Sequence, residues 1–255
     1  MVTIVPLRFT GVNRWVHLRE ICGKDEQSVA GTRSIDAMCL LDRIIQNHPG
    51  NESAVSASGS ISIADRDQIL LAVYLNTYGT KVETTATCSL CNCPFDIGFS
   101  LTELADELVH VNPAGLNEAD PSFPFKTSNG MKFRLPTGED ELAVMGMNPE
   151  AAERALFKRC MPVDTTTFNA DIIQKAMQKV APLLDTEFET QCPECSGKQA
   201  FHFNLQQYLL TSLINERDKL VAEIHLLAKS YGWGLNEILE LPRNVRNSYV
   251  SLAGS

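Results

Sequence analysis

Two pairs of cysteines constrain the fold of this 255-residue chain more than any other feature. Cys88 and Cys91 stand in CSLC, and Cys192 and Cys195 stand in CPEC, 104 residues further along the chain (88 to 192). Each pair has the spacing that supplies two thiolate ligands of a tetrahedral zinc site, and two such pairs complete the coordination shell. The spacing therefore predicts that two distant segments meet at one four-cysteine metal site.

The residues around the two pairs repeat in register. With the cysteines matched, Phe99 aligns with Phe203 and Leu101 aligns with Leu205 without a gap. Apolar and polar residues alternate after each pair, which is typical of a half-buried β-strand. Each segment is therefore predicted to form a β-hairpin with two sulfurs at its tip. The two hairpins are predicted to share one structural Zn²⁺ per chain in a split, zinc-ribbon-like site.

Other interpretations of the cysteines stay open at this point. Cysteine pairs at this spacing also occur as redox-active dithiols or as small buried residues, although a thioredoxin-like pair needs a βαβ context. A catalytic zinc usually keeps an open position, which four thiolates would close. Cys93 is an alternative ligand to Cys91, but it breaks the match between the two segments. Cys22, Cys39 and Cys160 stand singly and are expected to be buried thiols.

Composition narrows the setting of the chain. The formal net charge is −9, which argues against a nucleic-acid backbone as the main partner. No window of eighteen apolar residues occurs, so no membrane span is expected. The N-terminus lacks the basic and apolar regions of a signal peptide. We therefore expect a reducing cytoplasm, in which cysteines bind metal or are buried rather than forming disulfides.

Helical periodicity dominates the rest of the chain, so the predicted fold class is α+β, mostly helical, with the two hairpins as its sheet component. Four consecutive segments are expected to interleave into one domain. They are an N-terminal strand–helix segment (1–60), a helix with the first hairpin (61–101), a mainly helical insertion (102–183), and the second hairpin with C-terminal helices (184–255).

Three helices have apolar stripes that predict which side chains face inward. Their starts are expected after Ser62, at Asn169 and at Pro242, respectively. The inward residues are expected to be Ile69, Leu70, Val73 and Tyr74 in the first helix, Ile172, Ala176 and Val180 in the second, and Val245, Tyr249 and Leu252 in the last.

The last helix also carries Arg243 and Arg246, which are neighbours on a helix surface. One interpretation is an ordinary solvated face. The other is a partner-binding patch formed with Trp233 and Tyr249, because Trp, Tyr and Arg are enriched at interface hot spots.

No enzyme motif occurs. The five histidines lie outside HExxH, no GxSxG nucleophile elbow is present, and neither a Walker loop nor GxGxxG is found. The chain is therefore predicted not to be an enzyme.

Several segments together resemble a known family. They are LREICGKDE (18–26), DRDQILLAVYLNTYG (65–79) leading into CSLC, FRLPTGED (133–140), CPEC, and the ending EIHLLAKSYGWGLNEILELPRNVRNSYVSL (223–252). The chain resembles the baseplate hub and hub-assembly proteins of T-even phages, which have relatives in prophages and tail-like injection particles. The resemblance covers most of the chain and thins over 48–60 and 102–130.

The resemblance implies a structural zinc site at Cys88, Cys91, Cys192 and Cys195, shared by both hairpins. It also implies a non-enzymatic hub component or hub-assembly chaperone that binds other baseplate and tail hub proteins. Such a protein resides in the cytoplasm of the producing bacterial cell or in the particle baseplate. The alternatives are a zinc-ribbon nucleic-acid adaptor and a thiol-redox or metal-hydrolase protein. Stoichiometry and oligomeric state are not determined by the sequence.

Overall fold

The computed structural model describes residues 2–10, 14–46, 57–109, 122–127, 130–163 and 169–254. The architecture is mixed, with helices and small antiparallel sheets, as predicted. The chain divides into two compact units, and each unit is assembled from stretches that are separated in sequence. The first unit comprises Met1–Thr77, Thr137–Met145 and Gln206–Ser255, and the second comprises Tyr78–Pro136 and Gly146–Leu205.

The elements follow one another along the chain with these bounds. The strands are β1 (Val2–Leu7), β2 (Arg14–Arg19), β3 (Ile45–Gln46), β4 (Lys81–Thr87), β5 (Pro94–Ser100), β6 (Phe125–Lys126), β7 (Lys132–Phe133), β8 (Asp185–Gln191) and β9 (Lys198–Asn204). The helices are α1 (Gly23–Ser28), α2 (Ser34–Ile44), α3 (Ile63–Tyr78), α4 (Leu101–Val109), α5 (Gly138–Val144), α6 (Pro149–Arg159), α7 (Ala170–Val180), α8 (Leu205–Asn215), α9 (Arg217–Tyr231), α10 (Leu235–Glu240) and α11 (Arg243–Ala253). Within the described ranges, no helix is long and apolar enough to cross a membrane.

The first unit contains the antiparallel sheet β1–β2–β3 and most of the helices. Helix α3 forms as predicted: the N–H of Asp65 donates to Ser62 Oγ (3.1 Å), and Gly79 ends the helix with φ of 85°. Its predicted inward residues are all at most 4% exposed, and they are Ile69, Leu70, Val73 and Tyr74.

The first unit also contains the same arrangement of helix starts twice. Cys22 and Pro242, which precede α1 and α11, form an isolated β-bridge, and Ser62 and Thr137, which precede α3 and α5, form another. Each bridge brings two helix N-termini side by side. The α1–α11 and α3–α5 pairs therefore connect stretches that are far apart in sequence.

An ion pair between a buried arginine and a glutamate joins each pair of helices, and we call these ion pairs the α1–α11 clasp and the α3–α5 clasp. In the α1–α11 clasp, Nη2 of Arg246 donates to both carboxylate oxygens of Glu26 at 2.8 Å. In the α3–α5 clasp, both terminal nitrogens of Arg66 donate to Glu141. Arg246 is 1% exposed and Arg66 is 3% exposed, so both cations require a partner within the fold.

The clasps share a further detail. One nitrogen of each arginine, Nε of Arg66 and Nη1 of Arg246, is buried without a hydrogen-bond partner in the described part of the chain. The remaining nitrogen of Arg246 is satisfied, because Nε donates to Glu223 of α9 at 2.8 Å. Helix α11 is therefore held by carboxylates on both α1 and α9.

The orientation of α11 corrects the prediction made from its apolar stripe. Arg243 and Arg246 face inward, whereas Val245 is 37% exposed and Leu252 is 68% exposed. The helix takes this orientation because the carboxylates of Glu26 and Glu223, which pack against it, are buried and require cations as partners. The helical period describes both faces equally well and does not determine which of them is buried.

The second unit contains the hairpins β4–β5 and β8–β9, the short hairpin β6–β7, and the helices α4, α6 and α7. Helix α7 begins as predicted, with Oδ1 of Asn169 accepting from the N–H of Ile172. Its inward face is shifted by one residue from the predicted stripe. Ile172 is 38% exposed, while Ile173 and Met177 are buried.

Candidate metal centre

The two cysteine-bearing hairpins have the same strand register. In the first, Lys81 pairs with Ser100 and Thr87 with Pro94. In the second, the partners lie 104 positions further on and run from Asp185↔Asn204 to Gln191↔Lys198. The alternation of half-buried and exposed residues along these strands agrees with the predicted period of two. The repeat inferred from the sequence is thus confirmed in the backbone.

The turns at the hairpin tips are also equivalent. In the first, the N–H of Cys88 donates to the carbonyl oxygen of Cys93 (2.9 Å), and the N–H of Asn92 donates to that of Cys88 (3.0 Å). The second turn repeats both bonds, at 3.0 and 2.9 Å, with Cys192, Gly197 and Ser196. Asn92 and Ser196 adopt left-handed φ values of 58° and 56°, which turn the chain back after the second cysteine of each pair.

The four predicted sulfurs lie together. The Sγ atoms of Cys88, Cys91, Cys192 and Cys195 are all within 4.8 Å of one another. The Sγ atoms of Cys88 and Cys195 are 3.6 Å apart, and those of Cys91 and Cys192 are 3.7 Å apart. A tetrahedron with Zn–S bonds of about 2.3 Å has edges of about 3.8 Å. The cluster therefore has the dimensions of a tetrahedral metal site, and both short contacts join one hairpin to the other.

Backbone N–H groups favour deprotonation of one thiol of the cluster, that of Cys88. Hydrogen bonds from the N–H groups of Cys91 and Leu90 lower the pKa of the Cys88 thiol to about 6. The N–H of Gly197 lowers the pKa of Cys195, but the hydrogen bond to Cys88 and burial outweigh it and raise that pKa to about 12. Without a metal, the cluster thus favours a thiolate at Cys88 and a thiol at Cys195. A divalent metal ion displaces the remaining protons when it binds.

Apolar side chains pack against the cysteines of the cluster. Phe95 and Ile97 of β5 form a buried cluster with Cys88 and Cys192, which are 1% and 0% exposed. The ring of Phe99 meets two rings of the other hairpin edge to face, at centroid distances of 5.3 Å to Phe188 and 5.0 Å to Phe203. The two hairpins therefore pack against each other as well as sharing the sulfur cluster.

The remaining cysteines and His202 lie outside the cluster. Sγ of Cys93 is 3.7 Å from the carbonyl oxygen of Cys91 and is not among the four grouped sulfurs. His202 is exposed, with Nε2 2.6 Å from Asp185 Oδ1. Cys22 and Cys160 are buried as expected, but Cys39 is exposed, so that expectation is wrong for Cys39.

The four predicted partner-binding residues divide into two groups. The ring centroids of Trp233 and Tyr249 are 4.9 Å apart. Both rings also contact the ring of Tyr231, a residue that was not predicted from the sequence. Arg243 and Arg246 are 7% and 1% exposed, so neither lies on a solvated face.

Carboxylates of the same chain occupy both guanidinium groups. Arg243 pairs with Glu216 and, at 3.5 Å, with Glu26, while Arg246 pairs with Glu26 and Glu223. The expectation of two surface arginines is therefore wrong. In the sequence, the acidic residues in KDE (24–26) are the feature that could have indicated a carboxylate partner for these arginines.

Comparison with models of known protein families gives a match. The model of the family described as T4 bacteriophage base plate protein matches residues 10–181, which is more than half of the chain. The matched range contains Cys88 and Cys91 and ends before Cys192. No curated protein and no solved structure matches the chain.

Proposed function

The chain belongs to the T4 bacteriophage base plate protein family, and we propose that it is a non-enzymatic hub component or hub-assembly factor of a contractile tail or tail-like particle. The family match over residues 10–181 is the observation that carries this proposal. Its partners are then the other baseplate and hub proteins, to which it binds by protein–protein contacts.

We further propose that the four cysteines hold one structural Zn²⁺ per chain, in a zinc-ribbon-like site split between β4–β5 and β8–β9. Sulfur separations of 3.6 and 3.7 Å support this assignment, because they match the edge of a four-thiolate zinc tetrahedron. Thiolate ligands also favour zinc over magnesium and calcium, which prefer oxygen. The ion would cross-link two hairpins that the sequence separates by about 100 residues.

The same donor set supports a structural rather than a catalytic role for the metal. Four thiolates fill a tetrahedral shell and leave no position at which a water molecule or substrate would be activated. The chemistry of the site is therefore that of a cross-link. The chain would then act through the surfaces by which it binds other proteins.

Quantitative mass spectrometry of purified particles, beside the lysate that produced them, tests this proposal. A fixed copy number per particle, in ratio with the hub proteins, identifies a resident hub subunit. Abundance in the lysate with absence from particles, together with loss of assembled hubs when the gene is deleted, identifies an assembly factor. Absence from particles combined with normal tail yield after deletion would contradict both forms of the proposal.

A further inference from the structure

Helix α11 presents an apolar stripe to solvent. Val245, Tyr249 and Leu252 are spaced by four and three residues and therefore lie on one face of the helix. Val245 is 37% exposed, Leu252 is 68% exposed, and Tyr249 is half-buried. Spacing of four and three residues is that of a coiled-coil seam, in which apolar side chains meet those of another helix.

The outward face of α11 also lacks charge. The only charged residues of this helix are Arg243 and Arg246, and both are buried in ion pairs with Glu26, Glu216 and Glu223. The other exposed side chains are neutral, and they include Asn244, Asn247 and Ser248. Depletion of charge is typical of the core of a protein–protein interface. The ion pairs of Arg243 and Arg246 thus hold both arginines inward and leave the uncharged stripe outward.

Aromatic side chains extend this surface beyond α11. Tyr231 at the end of α9 is 39% exposed, and its ring stacks on Trp233 at a centroid distance of 4.9 Å. Tyr249 meets both rings edge to face, at 5.7 and 4.9 Å. Aromatic residues of this kind supply much of the binding energy at interfaces. We call Tyr231, Trp233, Val245, Tyr249 and Leu252 the α11 surface.

We propose that the α11 surface binds the same surface of a second copy of the chain, forming a two-fold symmetric dimer. The charge of the chain favours this occupant: with a net charge of −9, two copies repel each other wherever their acidic surfaces meet. An uncharged helix face removes that repulsion at the contact. It is also self-complementary, as a two-fold interface requires.

The size of the surface sets the strength of the dimer. The 11 residues of α11 extend for about 16 Å, so two crossing helices and the flanking rings bury less than the roughly 800 Å² per partner of a standard interface. Contacts below that size are typical of transient complexes, so we expect a dissociation constant in the micromolar range, within the concentrations tested below. This inference goes beyond the tail role and does not depend on it, because it concerns the purified chain alone.

Sedimentation equilibrium of the purified, zinc-loaded full chain from about 1 to 200 μM tests the proposal. The wild type is expected to shift from monomer to dimer across this range. Leu252→Lys places like charges at the contact and removes an apolar anchor, so we expect it to weaken dimerisation at least about tenfold. Val163→Lys is the matched control, because Val163 is fully exposed at 101% and lies in the second unit.

The controls separate dimerisation from folding. Thermal unfolding of dilute Leu252→Lys should match that of the dilute wild type, since the side chain is 68% exposed. Loss of the dimer in Leu252→Lys and its retention in Val163→Lys support the proposal. A wild type that stays monomeric throughout, which would leave the stripe to a different protein, overturns it. So does a dimer that Leu252→Lys leaves unchanged.

Discussion

Different kinds of polar group join distant segments in the two compact units. In the second unit, four sulfurs join two hairpins, with Cys88 and Cys195 lying 107 residues apart in sequence. In the first unit, arginine–glutamate clasps join helix starts, and Glu26 and Arg246 lie 220 residues apart. Both solutions bring distant segments together at a polar cluster that is at least partly buried. They differ in the source of the charges: each clasp contains both of its charges, whereas the proposed metal site would take its cation from solution.

This difference has an energetic consequence. The proposed metal would add its binding free energy to folding, so the second unit would depend on metal supply. A buried ion pair stabilises little relative to apolar residues, because desolvation offsets the attraction, but removing one partner leaves an unpaired charge. We therefore expect the clasps to determine mainly which segments meet and in what orientation. Both tryptophans, Trp15 and Trp233, belong to the first unit, so fluorescence reports on that unit and zinc content reports on the other.

The largest effect is expected from Cys88→Ser. Structural zinc supplies an apparent ~10–16 kcal/mol in zinc-finger peptides, which is comparable with the whole net stability of a domain. We therefore expect loss of bound zinc and loss of cooperative folding in the second unit. Zinc content by elemental mass spectrometry and thermal unfolding by circular dichroism measure both.

Cys93→Ser is the matched control for this variant. Cys93 lies next to the site but outside the four grouped sulfurs, so it should keep one zinc per chain. Zinc loss in Cys93→Ser, with zinc retained in Cys88→Ser, would reverse the ligand assignment.

The next largest effect is expected from Arg246→Leu. The substitution leaves Glu26 and Glu223 buried without their main cation, which typically destabilises by about 3–5 kcal/mol. Urea unfolding followed by tryptophan fluorescence should show this loss in the first unit. Zinc content should stay unchanged, because no zinc ligand belongs to that unit.

Lys24→Ala provides the comparison with an exposed ion pair. Lys24 binds Glu240, but the two side chains are 37% and 65% exposed, so its loss should destabilise by less than about 1 kcal/mol. If Arg246→Leu and Lys24→Ala lowered the free energy of unfolding equally, burial of the clasp would not contribute to the cost of losing it.

A smaller effect is expected from Gly138→Ala at the start of α5. A Cβ there would lie 2.3 Å from Met38 Sδ and 3.2 Å from Gly59 Cα. Overpacking of this kind typically destabilises by about 1–3 kcal/mol. Gly98→Ala in β5 is the control, because its nearest neighbour, the Val82 carbonyl oxygen, is 3.8 Å away. Equal urea midpoints for the two variants would show that Met38 and Gly59 can move away from the added Cβ at residue 138 without loss of stability.

The smallest effect is expected from mild acid on the first unit. Burial raises the pKa of Asp25, but hydrogen bonds from Arg19 and Cys22 outweigh it and hold the pKa below its usual value of 3.8. A carboxylate with a lowered pKa contributes stability above its unfolded pKa, and this is lost only as the pH falls through the folded value. From pH 8 to 5, fluorescence-detected stability of the first unit should therefore not change through Asp25.

The second unit should respond over the same interval. Protons compete with metal for the thiolates, and the pKa of metal-free Cys88 is about 6. Dialysis with a chelator should therefore remove zinc more readily at pH 5 than at pH 8. As the pH falls, the second unit should therefore lose zinc before the first unit unfolds. Unfolding of the first unit before zinc release would contradict this prediction.

Much of the candidate site was predictable because its signals are local. The cysteine spacing and the period-two alternation after each pair specify ligand type and strand phase within about twenty residues. The 104-residue offset then predicted the equivalence of the two hairpins, which the paired registers confirm. The start of α7 at Asn169 and the inward face of α3 were predictable for the same reason, since caps and stripes act within a few turns.

The buried faces of α7 and α11 were not predictable in the same way. Ile172 was expected inward, yet Ile173 is buried instead, and Val245 was expected inward, yet Arg246 is. A helical period arranges side chains into faces, but the burial of one face depends on what packs against it.

The sequence by itself thus determined the set of four cysteines, the two hairpins that carry them and the positions at which several helices begin. Only the tertiary structure decided that Arg246 pairs with Glu26, that Arg66 pairs with Glu141 and that the apolar stripe of α11 faces outward. The physical reason is range. Ligand spacing and strand alternation act between neighbours, whereas the clasp partners lie 220 and 75 residues apart, and a lone charged residue does not specify which distant charge will neutralise it.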